Sequence, residues 1–173
     1  LGDLEQAQET LTRARRLLPD EDPSAAAESA LLCLEYGDLE GATQHIDAAS
    51  IRGEGAIVSY IRGNIAANQG HLKSAKSYYN EAIETDPTHV RARLNRASIS
   101  MADGDAQAAL DDANILLELA PTLSIAKLRR AEANMSLSNW NEARTDLEVI
   151  VEEAPHHFQA LTNLASCFLS MGR

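Results

Sequence analysis

The sequence predicts an all-α protein built from stacked antiparallel helix pairs, and three observations support this prediction. Glycines, alanines and prolines recur along the 173-residue chain at intervals of 33 to 35 residues. Each interval contains two segments long enough for one helix apiece, separated by a glycine. Hydrophobic residues make up 45% of the chain but aromatic residues only 4%, which favours closely packed, alanine-rich helices over a sheet core.

A glycine separates the two helices of each pair, which we call helix A and helix B in chain order. In IRGNIAANQGHLKSAK, helix A is expected to end at Gly70, because glycine adopts the left-handed conformation that terminates a helix without a steric penalty. Serine replaces glycine in one copy. The column consists of Gly2, Gly37, Gly70, Gly104, Ser138 and Gly172.

Helix B begins directly after this glycine, and in most copies its first turn has a capping side chain. Such a side chain accepts a hydrogen bond from a backbone N–H that has no partner inside the helix. His71 is the exception. The predicted caps are Asp3, Asp38, Asp105 and Asn139.

Small residues recur at two further positions, and prolines follow most B helices. Because helices approach closely only where side chains are short, the small residues predict close packing of helix A against helix B. Proline ends a helix since it lacks an N–H and clashes with the preceding turn. The helix A column is Ala30, Gly63, Ala97, Ala131 and Ala165, the helix B column is Ala7, Ala42, Ala75, Ala109 and Ala143, and the prolines are Pro19, Pro87, Pro121 and Pro155.

This period and these columns resemble the tetratricopeptide repeat family. The resemblance implies a right-handed superhelical solenoid of antiparallel helix pairs with about ten helices. Both ends of the chain fall at the same point of a repeat, which predicts a piece of a longer array. The expected parts are a lone second helix at 1–22, a degenerate repeat at 23–55, full repeats at 56–89, 90–123 and 124–157, and a lone first helix at 158–173.

The second repeat interrupts the pattern because no proline ends it. Gly53 and Gly55 bracket Glu54 at that point. A glycine-capped helix end followed by a longer turn explains this stretch. The alternative is a bend that divides residues 1–52 from residues 56–173.

Charge and cysteine content exclude several classes of function. The formal net charge of −11 argues against binding to nucleic acid or anionic lipid, which requires clustered Lys and Arg. No apolar run approaches the roughly 20 residues of a membrane span, so we expect no membrane insertion. Cys33 and Cys167 lie far apart in apolar contexts, which favours two buried thiols over a disulfide or a metal pair.

The sequence contains no motif for catalysis, a cofactor or a metal. His156 and His157 are adjacent in the turn after Pro155, where a solvated role is expected because neighbouring residues present both imidazoles to one metal poorly. The acidic stretches at 104–113 and 149–155 are interpreted as solvated outer faces. We therefore expect neither enzymatic activity nor a bound cofactor.

The family resemblance implies that the A helices line a concave groove. Asparagine at groove positions suits an extended peptide, since its side chain matches backbone C=O and N–H groups without a charge to desolvate. Leucine, methionine and arginine add apolar contact and orientation. The candidate peptide-binding residues are Tyr60, Ile61, Asn64, Asn68, Arg91, Leu94, Asn95, Ser98, Met101, Arg129 and Asn163.

These residues predict a protein-binding scaffold that holds an extended peptide or a partner's helix. A more specific resemblance is to the carboxylate clamp of chaperone-binding family members, which Asn64, Asn95 and Arg129 match, although Tyr60 and Ile125 stand where that clamp has lysines. Two further alternatives stay open. One is an accessory arm that presents substrate to a larger enzyme, and the other is a self-assembly module that forms homo-oligomers through its ends.

Overall fold

The computed structural model describes residues 6, 9, 10, 13, 23–50 and 55–172. These contain nine α-helices and no strand, which confirms the all-α class. Residues 6, 9, 10 and 13 are also helical. The predictions for Asp3 and for the glycine pair at 53–55 fall wholly or partly outside the described residues. The helices are α1 (Pro23–Glu35), α2 (Leu39–Ser50), α3 (Ala56–Asn68), α4 (Leu72–Thr85), α5 (Val90–Ala102), α6 (Ala106–Leu119), α7 (Ser124–Ser136), α8 (Trp140–Glu153) and α9 (Phe158–Ser170).

The chain divides into two compact units, Leu1–His89 and Val90–Arg173. In the first unit α1 packs on α2, α2 on α3, and α3 on α4. In the second unit α5, α6, α7, α8 and α9 pack in the same sequential way, and α7 also contacts α5 and α9. The division follows His89, whereas the sequence alternative placed a bend near residue 52. The array of helix pairs is confirmed, while the repeat boundaries stay a prediction.

The glycine column has the predicted backbone conformation. Gly37, Gly70, Gly104 and Gly172 have φ between 71° and 79°, inside the left-handed region. Ser138 adopts the same conformation with φ 63°, and among the described residues it is the one non-glycine with positive φ. The turn geometry therefore overrides the steric preference of this serine.

Two of the predicted helix caps form as expected. Oδ1 of Asp38 accepts a hydrogen bond from the Gly41 N–H at 2.9 Å, at the start of α2. Oδ1 of Asp105 accepts from the Ala108 N–H at 3.1 Å, at the start of α6. Each carboxylate satisfies one orphan donor of its helix.

The other caps differ from the prediction. Asn139 makes no side-chain cap hydrogen bond to α8, and its Nδ2 donates to Oδ1 of Asn134 at 3.2 Å. His157 is a cap that the sequence analysis assigned to a solvated turn. Its Nδ1 accepts from the Ala160 N–H at 3.2 Å and begins α9. The cap prediction for Asn139 was therefore wrong, and His157 has a capping role that the sequence analysis did not assign.

Four of the five small residues of helix A lie in the interior, as close packing requires, whereas Ala165 is exposed. Ala30, Ala97 and Ala131 have no exposed surface. At Gly63, a methyl group would lie 2.6 Å from Cδ1 of the buried Tyr79 ring. The absence of a side chain at Gly63 therefore lets the Tyr79 ring rest directly on α3.

The two cysteines lie in different environments. Cys167 is buried in the core of the second unit, and desolvation raises the pKa of its thiol. Cys33 is half-buried, so the expectation of two buried thiols holds for Cys167 alone. Neither forms a disulfide. Within the part of the chain that the structure describes, no helix is both long and apolar enough to span a bilayer.

Candidate functional site

The candidate residues of the first unit lie on α3 and differ in exposure. Ile61 has no exposed surface and Tyr60 is 7% exposed. Asn68 is exposed, and its Nδ2 donates to the backbone oxygen of Asn64 at 2.9 Å. Oδ1 of Asn64 accepts a hydrogen bond from the Tyr79 hydroxyl at 2.8 Å. Asn64 is thus tied to α4, and Ile61 is a core residue with no surface to offer a ligand.

Aromatic contacts hold Tyr60 in place. Its ring centroid lies 4.9 Å from that of His89 and 6.1 Å from that of Tyr79, both in tilted geometry. Offset or tilted rings at these distances attract one another. The Tyr60 ring therefore stabilises the end of the first unit and leaves little surface for a ligand.

The candidate residues of α5 share one side of that helix. Arg91 and Ser98 are exposed, whereas Leu94, Asn95 and Met101 are half-buried. Their spacing of three and four residues places them on a common face. The Ser98 hydroxyl donates to the Leu94 carbonyl at 3.0 Å, which leaves its oxygen able to accept a further hydrogen bond.

A polar chain connects α7 to α9. Nη1 of Arg129 lies 2.7 Å from Oε2 of Glu132, and Nε2 of Gln159 donates to Oε1 of the same carboxylate at 2.6 Å. Asn163, one turn after Gln159, is half-buried. The structure therefore brings Arg129 to the α9 surface that presents Asn163, and it pairs the Arg129 charge with an acid on its own helix.

These helices form one candidate site in the second unit. Because α7 contacts both α5 and α9, their candidate residues lie on adjoining helices. We call this surface the helix-A face. It is defined by Arg91, Asn95, Ser98, Arg129 and Asn163.

Buried ion pairs between helices were missed by the sequence analysis. Asp112 of α6 is 2% exposed and accepts two hydrogen bonds from Arg96, at 2.8 and 2.6 Å from Nε and Nη2. Nη1 of Arg93 lies 3.2 Å from the same carboxylate. The interpretation of 104–113 as a solvated acidic face was therefore wrong for Asp112.

The same arrangement recurs one repeat later. Asp146 of α8 accepts from Nε and Nη2 of Arg130, each at 2.7 Å, and this hydrogen bonding raises the pKa of the Arg130 guanidinium. Arg96 and Arg130 are one repeat period apart, as are Asp112 and Asp146. This shared period was the sequence signal that would have revealed both pairs.

Each unit also has an open cavity lined in part by an arginine, which is Arg130 in the second unit and Arg62 in the first. The cavity of the second unit has a volume of about 380 Å³ and that of the first about 210 Å³. Among the described residues, no three His, Cys, Asp or Glu side chains are grouped to hold a metal ion. The larger cavity is lined by Leu110, Asn114, Arg130, Asn134, Glu142, Thr145 and Asp146, and the smaller by Thr43, Ile46, Asp47, Arg62, Ile65, Ala66, Gln69 and Tyr78.

Comparison with solved structures finds the same fold. The first tetratricopeptide domain of Spaghetti (RPAP3), bound to the HSP90 peptide SRMEEVD, is 27% identical, with a TM-score of 0.65 over 68% of this chain and 94% of that one. A tetratricopeptide repeat protein from Parabacteroides merdae is 21% identical, with a TM-score of 0.74 over 99% and 68% of the two chains. YrrB, described as having an unusual peptide-binding site, is 20% identical, with a TM-score of 0.69 over 93% and 83%.

Sequence comparison agrees with the structural one. No curated protein sequence matches the chain. Residues 60–124 match the model of the tetratricopeptide repeat. These residues contain two left-handed glycine turns and the Gly63–Tyr79 contact described above. Residues 60–124 therefore match the tetratricopeptide repeat, and the chain shares the fold of solved tetratricopeptide repeat structures.

Proposed function

We propose that this chain is a non-catalytic protein-interaction scaffold and that its helix-A face binds an extended peptide. The observation that carries the proposal is the polar surface shared by α5, α7 and α9. On that surface Arg91 and Ser98 are exposed and Asn163 is half-buried, and the three helices adjoin one another through α7. The RPAP3 domain, described with a bound peptide, supports the same class of function.

The chemistry of the face suits a peptide main chain. An asparagine amide offers two donors and one acceptor, and a serine oxygen adds an acceptor, so both match backbone groups without desolvating a charge. The side chains stand on packed helices, so binding orders few additional groups and costs less entropy.

The same geometry argues against the carboxylate clamp. Arg129 is already paired with Glu132 at 2.7 Å, so an incoming carboxylate would have to displace an acid held on the same helix. Ile125 stands where a clamp lysine is expected. We therefore propose recognition of a peptide backbone, with Arg91 orienting the ligand, in preference to capture of an acidic C-terminus.

A peptide-display selection followed by calorimetry tests this proposal. Peptides selected on the wild-type chain are titrated into wild type and into the Asn95→Ala/Arg129→Ala double variant, for which we expect at least tenfold weaker binding. The matched control is Asn141→Ala/Arg144→Ala, which removes the same residue types from α8. We expect the control to bind like wild type.

Two results would refute the helix-A face as the binding site. One is unchanged affinity in the Asn95→Ala/Arg129→Ala variant. The other is an equal loss in the α8 control, which would show that binding follows general charge or stability. Circular dichroism of each variant establishes that the helices remain folded, so the affinities are compared between folded proteins.

A further inference from the structure

The larger cavity lies between α6, α7 and α8, within the second unit. Its volume of about 380 Å³ falls in the range of about 300–1,000 Å³ that holds small ligands. Each helix contributes side chains that lie one turn apart and therefore share a side of that helix. They are Leu110 and Asn114 of α6, Arg130 and Asn134 of α7, and Glu142, Thr145 and Asp146 of α8.

Asn134 is a buried polar residue of this cavity. It is 5% exposed, and its Oδ1 accepts a hydrogen bond from Nδ2 of Asn139 at 3.2 Å. The amide nitrogen is therefore the end of the Asn134 side chain that can donate to a ligand. A buried donor costs free energy unless an acceptor meets it, so a ligand that places an acceptor at this point gains affinity.

The fold does not require an amide at this position, as the cavity of the first unit shows. Arg62, Ala66 and Tyr78 line that cavity and stand two repeat periods before Arg130, Asn134 and Asp146, respectively. Ala66 is 6% exposed, so a methyl group fills the buried position there. The donor of Asn134 is thus a feature that packing of the repeat does not need.

Arg130 supplies a second donor on α7. Its Nε and Nη2 are held by Asp146, each at 2.7 Å. Its Nη1 lies 3.5 Å from Oδ1 of Asn114, which is longer than an ordinary hydrogen bond. Nη1 is therefore able to donate to a ligand, and the ion pair with Asp146 fixes the plane of the guanidinium.

The acceptors of the cavity lie on α8. The hydroxyl of Thr145 donates to the backbone oxygen of Asn141 at 3.0 Å, which leaves the hydroxyl oxygen able to accept a hydrogen bond. Glu142 is exposed one turn earlier on the same helix, and its carboxylate accepts only. The cavity therefore has donors on α7 and acceptors on α8.

The charges of the cavity favour a neutral ligand. The charge of Arg130 is paired with Asp146 at 2.7 Å, and Glu142 adds a second carboxylate. An incoming carboxylate would therefore meet two acids and one guanidinium. An incoming cation would lie beside the Arg130 guanidinium and would offer Asn134 no acceptor. A neutral group that has both a donor and an acceptor satisfies both sides of the cavity.

We propose that this cavity binds a primary carboxamide on a short aliphatic stem, which is the chemistry of a glutamine side chain. The carbonyl oxygen of the ligand accepts from Asn134 and Arg130, and its NH₂ group donates to Thr145 and Glu142. The stem packs on Leu110, which is half-buried. The ligand is either free glutamine or a glutamine of a partner polypeptide. The site is separate from the helix-A face, so either site can fail without the other.

Three probes of nearly equal shape test the chemistry of the ligand. Propionamide, propionate and propionamidinium are titrated into the isotopically labelled whole chain, and heteronuclear NMR follows the backbone amides and the side-chain NH₂ groups. With propionamide we expect saturable shifts at Asn114, Asn134 and their neighbours on α6, α7 and α8. We expect binding of either ion to be about tenfold weaker or more, because each leaves one side of the cavity unmatched.

Variants assign the binding to the cavity. Asn134→Ala, which reproduces the alanine of the first unit, should weaken propionamide about tenfold. The matched control Asn141→Ala removes an exposed amide of α8 that does not line the cavity, and its affinity should equal that of wild type. The Asn95→Ala/Arg129→Ala variant should also bind propionamide like wild type, which separates this site from the helix-A face.

A second variant tests the charge argument at an exposed position, where the fold is not at risk. Glu142→Gln removes one of the two carboxylates, so it should strengthen the binding of propionate about threefold. The source of the carboxamide is determined by comparing free glutamine with a capped alanine pentapeptide that has one central glutamine. Tighter binding of the pentapeptide assigns the site to a partner polypeptide, and tighter binding of free glutamine assigns it to the small molecule.

Four outcomes would overturn the proposal. If propionate or propionamidinium bound as tightly as propionamide, the cavity would not select a neutral carboxamide. Unchanged affinity in Asn134→Ala would show that this amide does not hold the ligand. Unchanged affinity of Glu142→Gln for propionate would contradict the charge argument. Shifts confined to α5 and α9 would place the probe on the helix-A face.

Discussion

Exchanging serine and glycine between two equivalent turns tests the energetics of the repeat. Ser138 holds φ 63° and Gly104, one repeat earlier in the same unit, holds φ 79°. A left-handed conformation costs a residue with a Cβ roughly 1–2 kcal/mol. Glycine avoids this cost but loses roughly 0.5–1 kcal/mol more conformational entropy on folding. We therefore expect Ser138→Gly to raise the free energy of unfolding by about 0.5–1 kcal/mol.

The reciprocal variant has the opposite sign. A Cβ built on Gly104 meets no atom within 4 Å, so Gly104→Ser tests the backbone conformation without a steric clash. We expect it to lower the free energy of unfolding by about 0.5–1 kcal/mol. Urea unfolding followed by circular dichroism measures both, with the midpoint shifting and the slope unchanged. Shifts of the same sign in the two variants would refute the reasoning.

Three further predictions concern packing, hydrogen bonding and reactivity. Gly63→Ala should destabilise the chain by about 1–3 kcal/mol through overpacking, and Tyr79→Leu should remove most of that penalty in a double-mutant cycle; additive effects would contradict the contact. Ser100 is fully buried and its Oγ has no hydrogen-bond partner. We therefore expect Ser100→Ala to leave the free energy of unfolding unchanged or to raise it by up to about 1 kcal/mol. A clear decrease would be inconsistent with this. Because burial raises the pKa of the Cys167 thiol, Cys167 should react with a disulfide reagent at pH 8 well after Cys33, and equal rates would disprove it.

Features set by local backbone physics could be predicted from the sequence. The glycine column was predicted to be left-handed because only the backbone of each turn decides this, and four described glycines confirm it. The caps at Asp38 and Asp105 follow the same logic, since each acceptor lies three residues from its donor. The hydrogen bonds that end and begin these helices lie within a few residues in the chain.

Features that depend on competing partners could not be predicted in this way. Asn139 has a capping residue's chemistry, yet its amide donates to Asn134. Asp112 was assigned to a solvated face, yet it lies buried against two arginines of α5. In both cases the deciding contact comes from a side chain whose orientation a linear pattern does not show.

For the candidate site too, some features could be predicted from the sequence and others could not. The choice of helix A as the ligand-facing helix came from the family resemblance and stays a prediction. Only the tertiary structure shows that Ile61 has no exposed surface and that the charge of Arg129 is paired with Glu132. Exposure and ion pairing are properties of several helices at once.

The sequence by itself determined the repeat, because a 34-residue period of small residues and turn glycines specifies helix pairs through short-range sterics. Only the tertiary structure decided that Ile61 and Asp112 are buried while Arg91 and Ser98 are exposed. Burial is set by what packs against a helix, and that neighbour is not encoded in the residues of the helix itself.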